Sequence, residues 1–247
     1  MGRPQVIFLD AVGTLFGIRG TVGGIYSRIA ASFGVTLSPA VLDQSFRRSF
    51  QAAGLPAFPG VASHEIPTQE FLWWQAIAYQ TFEQADALAQ FSDFEAFFKE
   101  LFAHFATADP WIVYPDVIPA LHFWRSQGIE LGILSNFDSR LYVVLEHLNL
   151  AQFFTSVTIS TQVGAAKPSP EIFTIALGQH QCPVEAAWHI GDSRSEDYEG
   201  ALKAGLQGFW LRRTSSPIPD RAISIDPEFP EIPPPASIRA LTDITFA

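Results

Sequence analysis

Apolar residues cluster in five short runs bounded by turn residues: VIFLD (6–10), ELGILS (130–135), SVTIS (156–160), AWHIG (187–191) and GFWLR (208–212). Each reads as a strand buried on both faces. All but the last lead into a segment of helical pattern, which is the order of a parallel sheet covered by helices. Two such segments, ALHFWRSQG (120–128) and LYVVLEHLNL (141–150), repeat apolar residues at helical spacing, with Asp138 or Ser139 placed to cap the second. The pattern predicts an α/β core.

Residues 18–109 break this rhythm. Helical spacing is found at 23–34, 38–50, 68–82 and 93–105, with Pro/Gly punctuation in GLPAFPG (54–60) and no strand-like alternation. A connection between a strand and its helix normally takes about 2 to 6 residues. An all-helical insertion directly after the first strand is therefore expected to form a lid over the strand ends. The core is then 1–17 with 110–247, and the helical cap is 18–109. AFPGVASHEIP (57–67) is a candidate loop over the site, and the proline-rich tail from 214 is expected to wrap the core as loop.

Composition narrows the classes. With 247 residues, 48% of them hydrophobic and 13% aromatic, the chain can bury a full core. It contains no apolar run of about 18 residues and no secretory pattern at its start, so it reads as a cytoplasmic protein without membrane contact. A net charge of −10, with three lysines and twelve arginines, argues against nucleic acid as a partner. The single cysteine, Cys182, cannot form an internal disulfide, and no cysteine or histidine cluster has zinc spacing. A monomer or homodimer acting on a small molecule is expected.

Four separated elements place polar residues at the end of a predicted strand or just beyond it, the edge where open α/β sheets bind ligands. They are Asp10 with Gly13 and Thr14; Ser135 and Asn136; Lys167 in GAAKPSPEIF; and Asp192 with Asp197 in GDSRSEDYEGA. SNFD (135–138), KPSPEIF and GDSRSEDYEGA, in this order and at these separations, resemble the haloacid dehalogenase-like hydrolase superfamily, in its branch with a helical cap after the first motif. The resemblance covers most of the chain. It implies a Rossmann-like parallel-sheet core and phosphoryl chemistry on a small phosphorylated substrate.

Charge assigns the roles. Asp10 is the candidate nucleophile, since a carboxylate can attack phosphorus and form an aspartyl phosphate. Bringing two anions together requires a hard cation, and Mg²⁺ suits Asp10, Asp192 and a substrate phosphate. The resemblance implies that the backbone carbonyl of Val12 is the third protein ligand. Ser135 donates to a phosphoryl oxygen and Asn136 belongs to the same phosphate-binding element, with backbone amides of the following helix helping. Lys167 neutralises Asp10 and the transferred group. Asp197 lies near the metal, as an outer ligand or as the partner of Lys167. Asp138 is read as a helix cap, Thr14 as a turn residue bonded to backbone, and Trp73 and Trp74 as cap core or substrate contacts.

Position 12 departs from the family. Its phosphatases carry a second aspartate there, which protonates the leaving oxygen and then activates water, whereas Val12 can do neither. General acid–base help contributes about 10²- to 10⁴-fold, so a slow or leaving-group-selective phosphatase is expected. A 2-haloacid dehalogenase also lacks the second acid, and Arg28, Arg47 and Arg48 are its candidate substrate cations. A phosphonate-cleaving relative would need a lysine in the cap, where Lys99 stands alone. A non-catalytic phosphate-binding or interaction protein is the reading from a different class. The cap sets the substrate, and the sequence gives no identity for it.

Overall fold

The computed structural model describes residues 2–213 and 236–246. Its sheet begins with β1 (Val6–Leu9), and the chain then forms β2 (Phe16–Ile18) before entering four helices. These are α1 (Val22–Ser32), α2 (Pro39–Ala52), α3 (Ile66–Gln84) and α4 (Phe94–His104). The chain returns through β3 (Trp111–Val113), α5 (Val117–Ser126), β4 (Glu130–Ser135), α6 (Arg140–His147) and β5 (Ser156–Ile159). After α7 (Ser160–Val163) and α8 (Pro170–His180) come β6 (Ala187–Gly191), a π-helical turn at Arg194–Glu199, α9 (Gly200–Lys203), β7 (Gln207–Leu211) and β8 (Ser237–Ile238).

The main sheet runs β5-β4-β1-β6-β7-β8, and every pairing in it is parallel. This is the α/β, Rossmann-like class. Strand parity explains why β1 is apolar at four successive positions. Ile7 and Leu9 join one hydrophobic cluster with Leu121, Trp124 and Leu141, while Val6 and Phe8 join a second with Ile172, Phe173 and Ala201. Helices cover both faces, so no residue of β1 can be polar without being buried unpaired.

Two strand pairings lie outside the sequence expectations. β2 and β3 pair antiparallel, with Phe16 opposite Val113 and Ile18 opposite Trp111, so the chain leaves for the helical insertion and returns from it through one short ribbon. The expected boundary at 17/18 falls inside β2. Three-residue strands carry too little pattern to stand out from a loop. In the tail, expected to be loop throughout, Ser237–Ile238 adds a parallel sixth strand beside β7; residues 214–235 lie outside the described residues.

Thr21 caps α1 by accepting from the Gly24 amide at 2.9 Å, and Asp93 caps α4 through the Ala96 amide at 2.9 Å. Ser139 occupies the N-cap of α6, but its side chain is turned to Glu70; Asp138 instead accepts from the Arg140 amide at 3.0 Å. Among the described residues, no helix is long and apolar enough to cross a membrane.

Candidate active site

β1 lies at the centre of the sheet and ends one residue before Asp10, whose amide donates to the Ile190 carbonyl of β6 at 3.0 Å. That bond holds Asp10 in the sheet while its side chain passes beyond the strand edge. Ser135 ends the neighbouring β4, and its hydroxyl donates to Asp10 Oδ1 at 3.0 Å. Lys167, only 1% exposed, donates from Nζ to the same Oδ1 at 2.7 Å and to Asp197 Oδ1 at 2.6 Å. Both donors to Asp10 use Oδ1. Oδ2 accepts from neither of them.

Two glycines allow the carboxylates this close. Gly13 has φ +90°, and a Cβ there would stand 2.3 Å from Asp192 Oδ2. A Cβ on Gly191 would stand 2.1 Å from Asp197 Cγ. Thr14, expected to bond backbone in its turn, instead donates its hydroxyl to Asp192 Oδ1 at 3.3 Å.

Burial and charge compete across this cluster. Burial pulls the Lys167 ammonium towards neutrality, but Asp10 and Asp197 beside it outweigh that and hold its pKa above the ordinary value. Burial also pushes the Asp197 carboxyl upward, and Lys167 with the His189 hydrogen bond outweighs it, so Asp197 sits below the usual carboxylate range. Asp10 and Asp192 come out the other way. For both, desolvation is the leading cause and raises the pKa, and for Asp192 the charges of Asp10 and Asp197 add to it.

Three carboxylates against one ammonium leave an excess of negative charge that a cation would relieve. Carboxylate oxygens of Asp10, Asp192 and Asp197 lie within 4.8 Å of one another, which suits a hard ion with oxygen ligands. The three are not equally available. Asp197 Oδ1 accepts from both Lys167 and His189 Nε2, the latter at 2.9 Å, and its Oδ2 accepts from the Ser193 amide at 2.9 Å. Asp10 and Asp192 fit a divalent cation best.

Asn136 is also occupied. Its Nδ2 donates to the Lys167 carbonyl and to Glu196 Oε2, each at 2.9 Å, while its Oδ1 accepts from the Lys167 amide at 2.8 Å. Its side chain therefore clamps the lysine loop, and the residue also lines the cavity that holds Asp10 and Ser135. The sequence reading missed Glu196, whose carboxyl is pushed up to about 7, chiefly by burial. It also missed His189, a fully buried imidazole under Asp197 whose pKa burial holds below the ordinary value. A histidine in an apolar strand carries no signal of its own; only the fold brings it below the motif at 192–197.

A cavity of about 430 Å³ opens from Asp10, Val12 and Asp192 towards the helical insertion. Gly54, Leu55 and Pro56 line it, whereas residues 57–67, expected over the site, do not. Trp74 lines it and donates from Nε1 to Asp138 Oδ2 at 2.6 Å; Trp73 packs against Trp74 and Phe50. Arg28, Arg47, Arg48 and Lys99 are not among the lining residues: Arg28 reaches His104, Lys99 pairs with Glu95 on the surface, and Arg47 and Arg48 are exposed.

An acidic centre at the carboxyl edge of a Rossmann-like sheet, facing a helical insertion, defines a class of hydrolase. Residues 4–205 match the family model described as haloacid dehalogenase-like hydrolase, and the chain belongs to that family. It is 35% identical over 214 residues to human haloacid dehalogenase-like hydrolase domain-containing protein 3, covering 84% of this chain and 82% of that protein. It is 37% identical over 101 residues to a glyceraldehyde 3-phosphate phosphatase of Methanopyrus kandleri, covering 40% of this chain and 43% of that one. Among solved structures, a dehalogenase with an intermediate complex superposes with a TM-score of 0.66 at 18% identity, over 98% of this chain and 96% of that one. That last likeness concerns the fold alone.

Proposed function

We propose that the protein is a Mg²⁺-dependent hydrolase of a small phosphorylated metabolite, working through an aspartyl phosphate on Asp10 beneath a cap formed by residues 18–109. The observation that carries this reading is Lys167 Nζ between Asp10 and Asp197, with Asp192 alongside and the cavity above. Asp10 Oδ2 attacks phosphorus, the ester oxygen leaves with the bonding pair, and water then attacks the same phosphorus to release phosphate and restore Asp10. Lys167 offsets the charge of Asp10 and the transferred group, and Ser135 is placed to donate to a phosphoryl oxygen. A divalent cation between Asp10 and Asp192, with the Val12 carbonyl as the further ligand the family implies, would neutralise charge on the phosphoryl oxygens. Asp197 and Asn136 hold Lys167 in place.

Val12 touches both half-reactions, because no carboxylate at that position protonates the leaving oxygen or activates the water. Turnover is therefore slow, and faster for leaving groups that need no proton. The phosphatase named for the Methanopyrus kandleri relative supports phosphoryl chemistry over halide displacement. In the cavity, Arg140 is bonded to Asp138 and the Phe102 carbonyl, and the two Nη atoms of Arg213 to Asp116 and the Thr14 carbonyl, so these donors are already engaged by the protein. The test is a metal-controlled turnover panel of p-nitrophenyl phosphate, acetyl phosphate, sugar phosphates and 2-chloropropionate. Phosphate release that requires Mg²⁺ supports the reading. Chloride release without metal supports a dehalogenase, and no turnover supports a binding protein.

A further inference from the structure

The cavity has two chemically different ends. Its floor carries Asp10, Ser135, Asp192 and Glu196, and the acidic centre there accounts for a phosphate. Its roof is built by the insertion, where α2, α3 and α4 contribute Phe46, Phe50, Trp74, Phe98 and Phe102, with Phe105 at the end of α4. Apart from Gln51 and the Tyr26 hydroxyl, every side chain the insertion adds to the lining is apolar or has its polar atom engaged, as Trp74 Nε1 does on Asp138.

Three of these rings stack in a row, and Phe98 and Phe102 pack against each other at a tilt. Phe50 stacks on Phe46 at 5.6 Å between centroids and on Trp74 at 5.8 Å. The Arg140 guanidinium lies over the Phe102 ring at 3.8 Å and the Arg213 guanidinium over Tyr114 at 4.0 Å, both with hydrogen bonds already made to protein. Arg212 packs over Trp210 at 5.0 Å. Arg140 and Arg213 are thus each paired with a carboxylate and a carbonyl of the protein. A second anionic group on a ligand would face them already neutralised. Sugar hydroxyls would lose water against rings that cannot replace those hydrogen bonds.

We propose, on the basis of the phosphoryl reading above, that the substrate is a monophosphate on an uncharged, largely apolar body, aryl or alkyl, whose apolar part lies in this ring-lined chamber. A volume of about 430 Å³ falls within the size of small-molecule sites. Val12 then has a second consequence. It continues the apolar lining down to the ester oxygen, where an aspartate would place a charge.

Calorimetry of the full chain with Mg²⁺ against non-hydrolysable phosphonates tests this without requiring turnover. From methyl to butyl to hexyl phosphonate the Kd should fall about three- to fourfold per methylene until the chamber is filled. Dihydroxypropyl phosphonate should bind no better than methyl phosphonate. A flat series, no binding, or a dihydroxypropyl ligand matching butyl overturns the proposal. Phe50→Ala should reduce the preference in affinity for hexyl over methyl phosphonate. Should that variant not fold, Leu55→Asp, at a residue 46% exposed, should weaken hexyl more than methyl. Phosphate release from hexyl and phenyl phosphate is measured in parallel: turnover with a flat binding series sinks only the substrate class, and selective binding without turnover sinks only the hydrolase.

Discussion

Asp197 Oδ1 accepts from Lys167 Nζ at 2.6 Å, with both residues 1% exposed. Because the same oxygen takes His189 and the other takes a backbone amide, this carboxylate positions the lysine more than it serves a metal. Asp197→Asn should therefore lower kcat at least about tenfold, and leaving Lys167 short of a partner should cost roughly 1–3 kcal/mol of stability. Calorimetry should find Mg²⁺ affinity largely kept in Asp197→Asn and lost in Asp192→Asn. The depressed Asp197 carboxyl contributes stability above the ordinary carboxylate range, and that contribution is lost as pH falls through its folded pKa. The melting-temperature gap between wild type and Asp197→Asn should narrow on acidification.

Gly13 carries a steric claim. Its φ of +90° disfavours any side chain, and a methyl group would meet the Asp192 carboxylate at 2.3 Å. Gly13→Ala should cost about 1–3 kcal/mol and displace Asp192, so that Mg²⁺ binding falls together with turnover. Normal Mg²⁺ affinity in a folded Gly13→Ala would mean that Asp192 does not hold the ion.

Glu70 anchors the insertion to the core. From α3, only 2% exposed, it accepts from the Ser139 amide, the Ser139 hydroxyl and Thr161 Oγ1. Glu70→Ala removes all three acceptor contacts and should destabilise by about 2–4 kcal/mol. Its diagnostic kinetic effect is a raised KM, since Trp74 lies one helical turn further along the same helix and lines the cavity. A melt unchanged by Glu70→Ala would remove this anchor from the account.

Much of the molecule is legible in the chain. The buried strands show themselves as uninterrupted apolar runs, because burial on both faces removes alternation, and the motif residues at strand ends fall where open sheets bind ligands. What is not legible depends on contacts between distant segments. Nothing near Asn136 in sequence says that its amide will clamp Lys167, and nothing near Glu70 says that a carboxylate on an insertion helix will meet Ser139 and Thr161. The ribbon of β2 and β3 is too short to carry a period. The ring-lined chamber was equally hidden, since aromatics at helical spacing read as core until the helices are placed over the sheet.

Val12→Asp supplies the absent acid. Turnover of alkyl phosphates should rise about tenfold or more, well beyond the gain for p-nitrophenyl phosphate, whose phenolate leaves without a proton. Mg²⁺ affinity and the melting temperature should change little, because the backbone carbonyl stays in place. A folded, Mg²⁺-binding variant with no leaving-group-dependent gain would show that the valine does not replace an acid.

The central claim is the covalent intermediate on Asp10, and Val12 makes it accessible. With no carboxylate at position 12 to activate water, breakdown of the aspartyl phosphate should be slower than its formation, so p-nitrophenol should appear in a burst before the steady state. The direct measurement is an acid quench of the enzyme with Mg²⁺ and p-nitrophenyl phosphate during that burst, followed by peptide mass mapping. The account predicts one phosphoryl group, labile to hydroxylamine, on the peptide that contains Asp10, and none in Asp10→Asn. Steady turnover with an unmodified Asp10 peptide, or a phosphoryl group on another residue, would contradict it.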